Sequence, residues 1–130
     1  MKKIAKVFLI IISLTFVITG CNSTKKDDAT SNDKINNIVI EDQTVKNINF
    51  KDFLVIYKQN ISTVYFDVEN DNDTDANYKK VKCNLYDKDN NLVVTFEENL
   101  GTLKSKEIKT ITTKFDVDLT TIEKVEYILQ

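Results

Sequence analysis

The sequence predicts an all-β chain, an antiparallel sandwich standing behind a short leader and a flexible tether. Three observations predict it. From about residue 35 onward, short apolar runs alternate with polar residues at a period of two, as half-buried strands do. Turn signals separate these runs every 8–12 residues or so, the spacing of a sandwich. Finally, there is no proline, and after Gly20 the only glycine is Gly101. Turns therefore rest on Asn and Asp, which tolerate a left-handed backbone.

The leader comes first. Lys2, Lys3 and Lys6 precede an uncharged run, Val7 to Gly20, filled with Ile10, Ile11, Ile12, Leu14, Val17 and Ile18. A spanning helix needs roughly 20 apolar residues, and this run is shorter. It fits a secretory signal peptide over residues 1–20, basic in front and closed by small residues, with an N-terminal transmembrane anchor as the alternative. The tetrapeptide Ile18-Thr19-Gly20-Cys21 then resembles the lipobox of bacterial lipoproteins. The resemblance implies that the Cys21 thiol takes a diacylglyceryl group, with palmitate-type chains, and becomes the mature N-terminus. Only a thiol forms the thioether, and small neighbours let the peptidase reach the bond. Two acyl chains hold stably where one holds marginally. The expected location is the outer face of the cell membrane.

Residues 21–34, the lipidated N-terminus followed by "NSTKKDDATSNDK", mix both charges without periodicity and read as a flexible linker. The remainder, 35–130, is one domain. Within it, Ile38–Ile40 and the weaker run around Val45, Ile48 and Phe50 open the pattern. "FLVIYKQ" (53–59) is apolar on both faces and predicts a covered strand. "STVYFDVEN" (62–70) places Val64, Phe66 and Val68 inward, with Tyr65, Asp67 and Glu69 outward. After the loop 71–77, "YKKVKCNLYD" (78–87) places Val81, Cys83 and Leu85 on one face. "KDNN" makes a hairpin turn with Asn90 or Asn91 at positive φ, and "LVVTFEEN" (92–99) returns. In 106–116, Ile108 is out of phase with Ile111, Thr113 and Phe115, which predicts a bulge near Lys109. "DLTTIE" (118–123) predicts one helical turn with a Thr120/Glu123 capping box. A strand over 124–129 closes the chain, with a helix over 119–129 as the alternative, because Ile122, Val125 and Leu129 share a helical face.

"VEN" at 68–70, "VKCNLYDKDNNLV" at 81–93 and "ENLGTLKSKEIKTI" at 98–111 are similar to the FxLYD domain of secreted and lipid-anchored bacterial proteins. The likeness covers about residues 53–129. Leu85, Tyr86 and Asp87 match the family's Leu-Tyr-Asp. Cys83 stands at its Phe position, and Lys104-Ser105-Lys106 replaces its Pro-Gly. The resemblance implies an immunoglobulin-like sandwich and carries no catalytic residue and no common ligand.

Composition narrows the function. The chain holds 18 basic and 20 acidic residues; without the three leader lysines this becomes 15 against 20, a net of −5, which argues against nucleic acid or an anionic bilayer as a partner for the body of the domain. Every basic residue is lysine, so no guanidinium fork exists for phosphate. Histidine is absent, removing the commonest acid/base and metal ligand. With Cys21 acylated, Cys83 has no disulfide partner and reads as a small buried hydrophobe. Abundant Ile, Lys and Asn point to an AT-rich, Gram-positive source. Asp71, Asp73 and Asp75 resemble the start of a calcium loop, but Ala76 stands where Gly is needed and Lys82 where the bidentate Glu is needed. No metal and no cofactor is expected. Tyr65 and Tyr86, joined by Tyr57, are the candidate binding patch unless segment 35–50 covers them, which is the arrangement expected. The reading is a non-catalytic binding or accessory module meeting an envelope protein or glycan. The alternatives are a small hydrolase using Asp67, Glu69 and Asp87, or a spacer with no ligand.

Overall fold

A computed structural model describes residues 33–35 and 39–130. The leader, Cys21 and the linker up to residue 32 lie outside the described residues. Eight strands follow in order: β1 (Lys34–Ile35), β2 (Gln43–Val45), β3 (Ile48–Lys58), β4 (Ile61–Glu69), β5 (Ala76–Asp87), β6 (Leu92–Leu103), β7 (Ile108–Phe115) and β8 (Ile122–Leu129). They form two antiparallel sheets. In the first, β3, β4 and β7 lie side by side, and β1 and β2 both pair with the far side of β3; the second has the order β6-β5-β8. Taking β3, β4 and β7 as A, B and E, and β6, β5 and β8 as C′, C and F, this is the strand order of an immunoglobulin-like sandwich. The last linker residue, Lys34, is already paired, opposite Tyr57.

The turns follow from the missing glycine. Two-residue hairpin loops of type I′ need positive φ at both positions, and Lys46–Asn47 and Gln59–Asn60 adopt it, with φ of 49° and 64°, then 51° and 64°. Asn90 does so in the β5–β6 turn, at 61°. There the Asp87 carboxylate accepts from the backbone N–H of Asp89 (2.8 Å) and Asn91 (2.9 Å), closing the loop.

The core fills the space between the sheets. Val55, Val64, Phe66 and Val68 meet Val81, Cys83, Leu85 and Val125, all buried. At the centre, Phe50 stacks on Tyr127 with ring centroids 4.2 Å apart, and Phe66 lies 5.4 Å from the same ring. Such pairs contribute about 0.5–1.5 kcal/mol beyond their burial.

Four expectations are corrected. β7 pairs with β4 without interruption from Glu69↔Ile108 to Ser62↔Phe115, so no bulge stands near Lys109: Ile108 points outward and is exposed. Over 118–123 only a single i→i+3 turn closes, from Ile122 N–H to the Leu119 carbonyl at 3.2 Å, with no Thr120/Glu123 capping box: the capping oxygen belongs to Asp118, which accepts from the Thr120 N–H at 3.0 Å. Nor does a helix form over 119–129, because β8 runs from Ile122. Its pairing with β5 slips between Tyr86↔Lys124 and Asp87↔Ile122, and the extra residue, Glu123, puts Ile122 and Val125 three apart on one face. A bulge thus imitated a helical spacing. Last, of segment 35–50, residues 36–38 lie outside the described residues and the rest does not lie over a sheet face. Ile40, Ile48 and Phe50 enter the core, β2 extends the first sheet at its edge, and among the described residues nothing is layered over the outer side of β3. The shift in pairing between Lys51 and Leu54, at Asp52 (φ 54°), moves Phe53 and Val55 inward and leaves Leu54 and Ile56 outside, half-buried beside Tyr65 and Ile35.

Candidate functional site

The tyrosines do not converge. Tyr65 stands on the outer face of the first sheet, paired with Leu54 and Thr112. Tyr86 stands on the second sheet, between Leu92 and Lys124, so the two rings look out from opposite faces of the sandwich. Tyr57 lies at one end of β3, where its hydroxyl meets Asn60 Oδ1 at 3.2 Å and the Lys34 ammonium sits 5.7 Å from its ring centre. Alternation tells inward from outward within a strand. It does not tell which sheet a strand joins, and the β4–β5 connection crosses between sheets.

Around Tyr86 a polar ladder spans all three strands of the second sheet. Its hydroxyl donates to Glu126 Oε2 at 2.9 Å, and Asn84 Nδ2 donates to the same oxygen at 2.8 Å. Thr95 donates to Asn84 Oδ1 at 2.8 Å. Lys124 lies 5.1 Å from the Tyr86 ring centre, within cation–π range. The hydrogen bonds from Asn84 and Tyr86 hold Glu126 below the usual carboxylate range. Accepting from Tyr86, Glu126 in turn pushes the phenol up.

Of the carboxylates named for the hydrolytic alternative, Asp67 and Glu69 share the outer face of β4 and Asp87 lies on the other sheet, and all three are engaged. Asp67 accepts from the Thr110 hydroxyl at 2.6 Å. Glu69 pairs with the Lys51 ammonium and accepts from Asn49 Nδ2 at 3.0 Å. Asp87 belongs to the other sheet and holds the β5–β6 turn. Lys51 first, then Asn49, keeps Glu69 below its ordinary range, and hydrogen bonds from Asn91 do the same for Asp87. A general acid needs the opposite shift.

At the acidic loop, the Lys106 ammonium lies between Asp71 and Asp73, 3.3 Å from an oxygen of each. Asp75 is turned toward the backbone N–H of Ser105, at 2.9 Å. Among the described residues, no group of His, Cys, Asp or Glu side chains is arranged to hold a metal. Cys83 is buried and free; burial first, and the nearby Glu98 charge second, push its thiol up to about 12. A cleft of about 430 Å³ runs between residues 39–43 and the start of β8, with Glu41, Asp42, Glu123 and Lys124 in its walls.

Sequence reasoning missed Asn70. Its buried side chain donates to the carbonyls of Thr74 (2.9 Å), Leu103 (3.0 Å) and Lys104 (3.1 Å). Its Oδ1 accepts from the backbone N–H and the side-chain amide of Asn72. One residue therefore ties the 70–75 loop to the 104–107 turn. The only sequence signal was an Asn directly ending the alternating run of β4.

No protein-family profile, curated protein or solved structure matches this chain.

Proposed function

We propose that the chain is a lipid-anchored extracytoplasmic module of the cell envelope that binds or assists a partner without catalysing a reaction. Its FxLYD-like sandwich would be held on the membrane through Cys21, with an envelope protein or glycan as partner. The geometry that supports the non-catalytic reading is the fate of the carboxylates. Asp67, Glu69 and Asp87 fall on two sheets, and each is already bound to a neighbour in the fold. The anchor rests on the Ile18–Cys21 motif behind its basic, apolar leader. A fatty-acid analogue supplied during growth tests the anchor: it should label the wild type and spare Cys21→Ala, and equal labelling of both sinks it. Envelope cross-linking from the Tyr86–Glu126 face tests the partner, with Tyr86→Ala as the variant that should weaken capture. Turnover of envelope glycan or peptide by the purified protein, lost in Glu69→Gln, would favour the hydrolytic alternative instead.

A further inference from the structure

Eight large hydrophobic residues are exposed among those described, and five of them gather at one end of the sandwich. Ile61 (42% exposed) follows the β3–β4 turn, and Val117 (46%) follows β7. Leu92 (56%) and Val93 begin β6 just beyond the β5–β6 turn, and Ile35 (58%) pairs with Ile56 near the end of β3. Pairing brings them to one end but on two faces: Ser62 faces Phe115 and Asp87 faces Ile122, while Ile61 shares the outer face of the first sheet with Tyr65, and Leu92, opposite Tyr86, that of the second. Val117 is not on a loose loop. Its carbonyl accepts from the buried Ser62 hydroxyl at 2.5 Å, and the Ser62 hydroxyl oxygen in turn accepts from Leu119 N–H at 2.9 Å. The opposite end is different in kind. There the 70–75 loop and the 104–107 turn present Asp71, Asp73 and Lys106, and the nearest exposed aliphatic is Ile108.

The apolar end is also the end where the N-terminal segment joins, because β1 pairs with Ile56 and Tyr57. Only about 13 residues separate Cys21 from Lys34, a covalent reach of at most about 45 Å. We infer that this end of the sandwich rests on the bilayer, with Ile61, Val117, Leu92 and Val93 entering the headgroup–acyl boundary and the polar end facing away. The inference rests on the Cys21 anchor proposed above. Tethering makes the second contact effectively intramolecular, so a few aliphatic side chains suffice to set orientation. The contact is not driven by net charge, since Lys34, Lys58, Lys88 and Lys114 at this end are balanced by Asp33, Asp89, Asp116 and Asp118. A lipid surface fits such an end better than an acidic or basic partner does.

The chain contains no tryptophan, so one can be introduced as a sole reporter. The full lipidated protein is prepared as Val117→Trp, Leu92→Trp and Ile108→Trp, each checked by thermal melting, with Ile61→Trp as a further position. Each is reconstituted in phosphatidylcholine vesicles carrying brominated acyl chains. Emission from the first two should shift to the blue and fall about twofold, as for side chains some 5–10 Å into the interface. Emission from Ile108→Trp should stay, open to aqueous iodide. Equal quenching of all positions, or of none while the protein still floats with the vesicles, overturns the orientation and leaves that end for a protein partner. Failure to float at all, with Cys21→Ala behaving like the wild type, refutes the anchor itself and this inference with it.

Discussion

Replacing Asn70 tests whether one buried amide holds an end of this sandwich together. Asn70→Ala leaves the Leu103 carbonyl without its buried donor, at 3.0 Å in the native fold; an unsatisfied buried group costs about 1–3 kcal/mol. The bonds to Thr74 and Lys104 are only part-buried, so water replaces them at a few tenths to about 1 kcal/mol each. The expected loss is about 2–4 kcal/mol, a large part of the 5–15 kcal/mol that holds an ordinary domain. Asn70→Asp is the sharper variant, since it keeps the shape and turns the donor into an acceptor facing three carbonyls. Folding then favours the protonated acid, so its pKa in the folded state rises above the unfolded value of about 3.9. The folded state binds more protons than the unfolded chain across that window, and stability falls as pH rises through it. The wild type behaves in the opposite sense. Glu69, Asp87, Asp118 and Glu126 are all held below their usual range. Their contribution is complete above about pH 4.3 and is lost as pH falls through the folded values. Urea unfolding of a soluble chain starting at Asp33, followed by tyrosine emission between about pH 4 and pH 7, separates the two cases. The gap between wild type and Asn70→Asp should widen with pH. A gap that is constant, or below about 0.5 kcal/mol for both variants, refutes the assignment of Asn70 as the tie.

Leu85 is fully buried, so Leu85→Ala should lower stability by about 2–5 kcal/mol; an unmoved urea midpoint would put the β5 register in error. Cys83, buried with its thiol pushed up to about 12, should resist a thiol reagent in the native protein and react at once in urea. Native-state labelling at the rate of a free thiol would mean that the β5–β6 side opens. A chain starting at Asn49 loses β1, β2, Ile40 and Ile48, and should melt lower and bind a hydrophobic dye; unchanged melting would show that the first sheet stands without its edge strands.

Much of this fold is legible in the chain wherever strands are regular. β4 and the centre of β5 alternate without a break, so Val64, Phe66, Val68, Val81, Cys83 and Leu85 read correctly as core. Legibility fails where a bulge changes phase. Glu123 lets β8 pass for a helix, and Asp52 resets the phase of β3; beyond it 53–59 is apolar on both faces, but Leu54 and Ile56 are half-buried beside Tyr65 and Ile35 rather than under a further layer. It fails again where pairing decides. Nothing local in "STVYFDVEN" or "YKKVKCNLYD" says that the two runs enter different sheets, so Tyr65 and Tyr86 were grouped although they face apart. Long-range polar ties are the least visible of all, because Asn70 acts on Leu103 and Lys104, more than 30 residues away.

The same structure bears on how a partner can be met. Strand addition needs a free row of backbone donors and acceptors at a sheet edge. On the β8 edge, Gln43 Nε2 donates to the Val125 carbonyl at 2.8 Å, and Lys46 Nζ to that of Leu129 at 3.2 Å. At the opposite side, Lys109 of β7 points inward and donates to the Leu100 carbonyl of β6 at 3.1 Å. Beside it, inward-facing Glu98 of β6 accepts from the Thr113 hydroxyl of β7. An inward charge on an edge strand blocks pairing with another chain, because a strand docking there would strand the charge. Lys109 is the residue whose phase made Ile108 look misplaced, and its guarding position explains why an aliphatic stands outside while a lysine stands in. With these edge stretches guarded, the proposed partner would be met at the outer faces or the two ends. Of those, the Tyr86–Glu126 face is built from fixed hydrogen bonds and so offers a partner a surface that needs little ordering on contact.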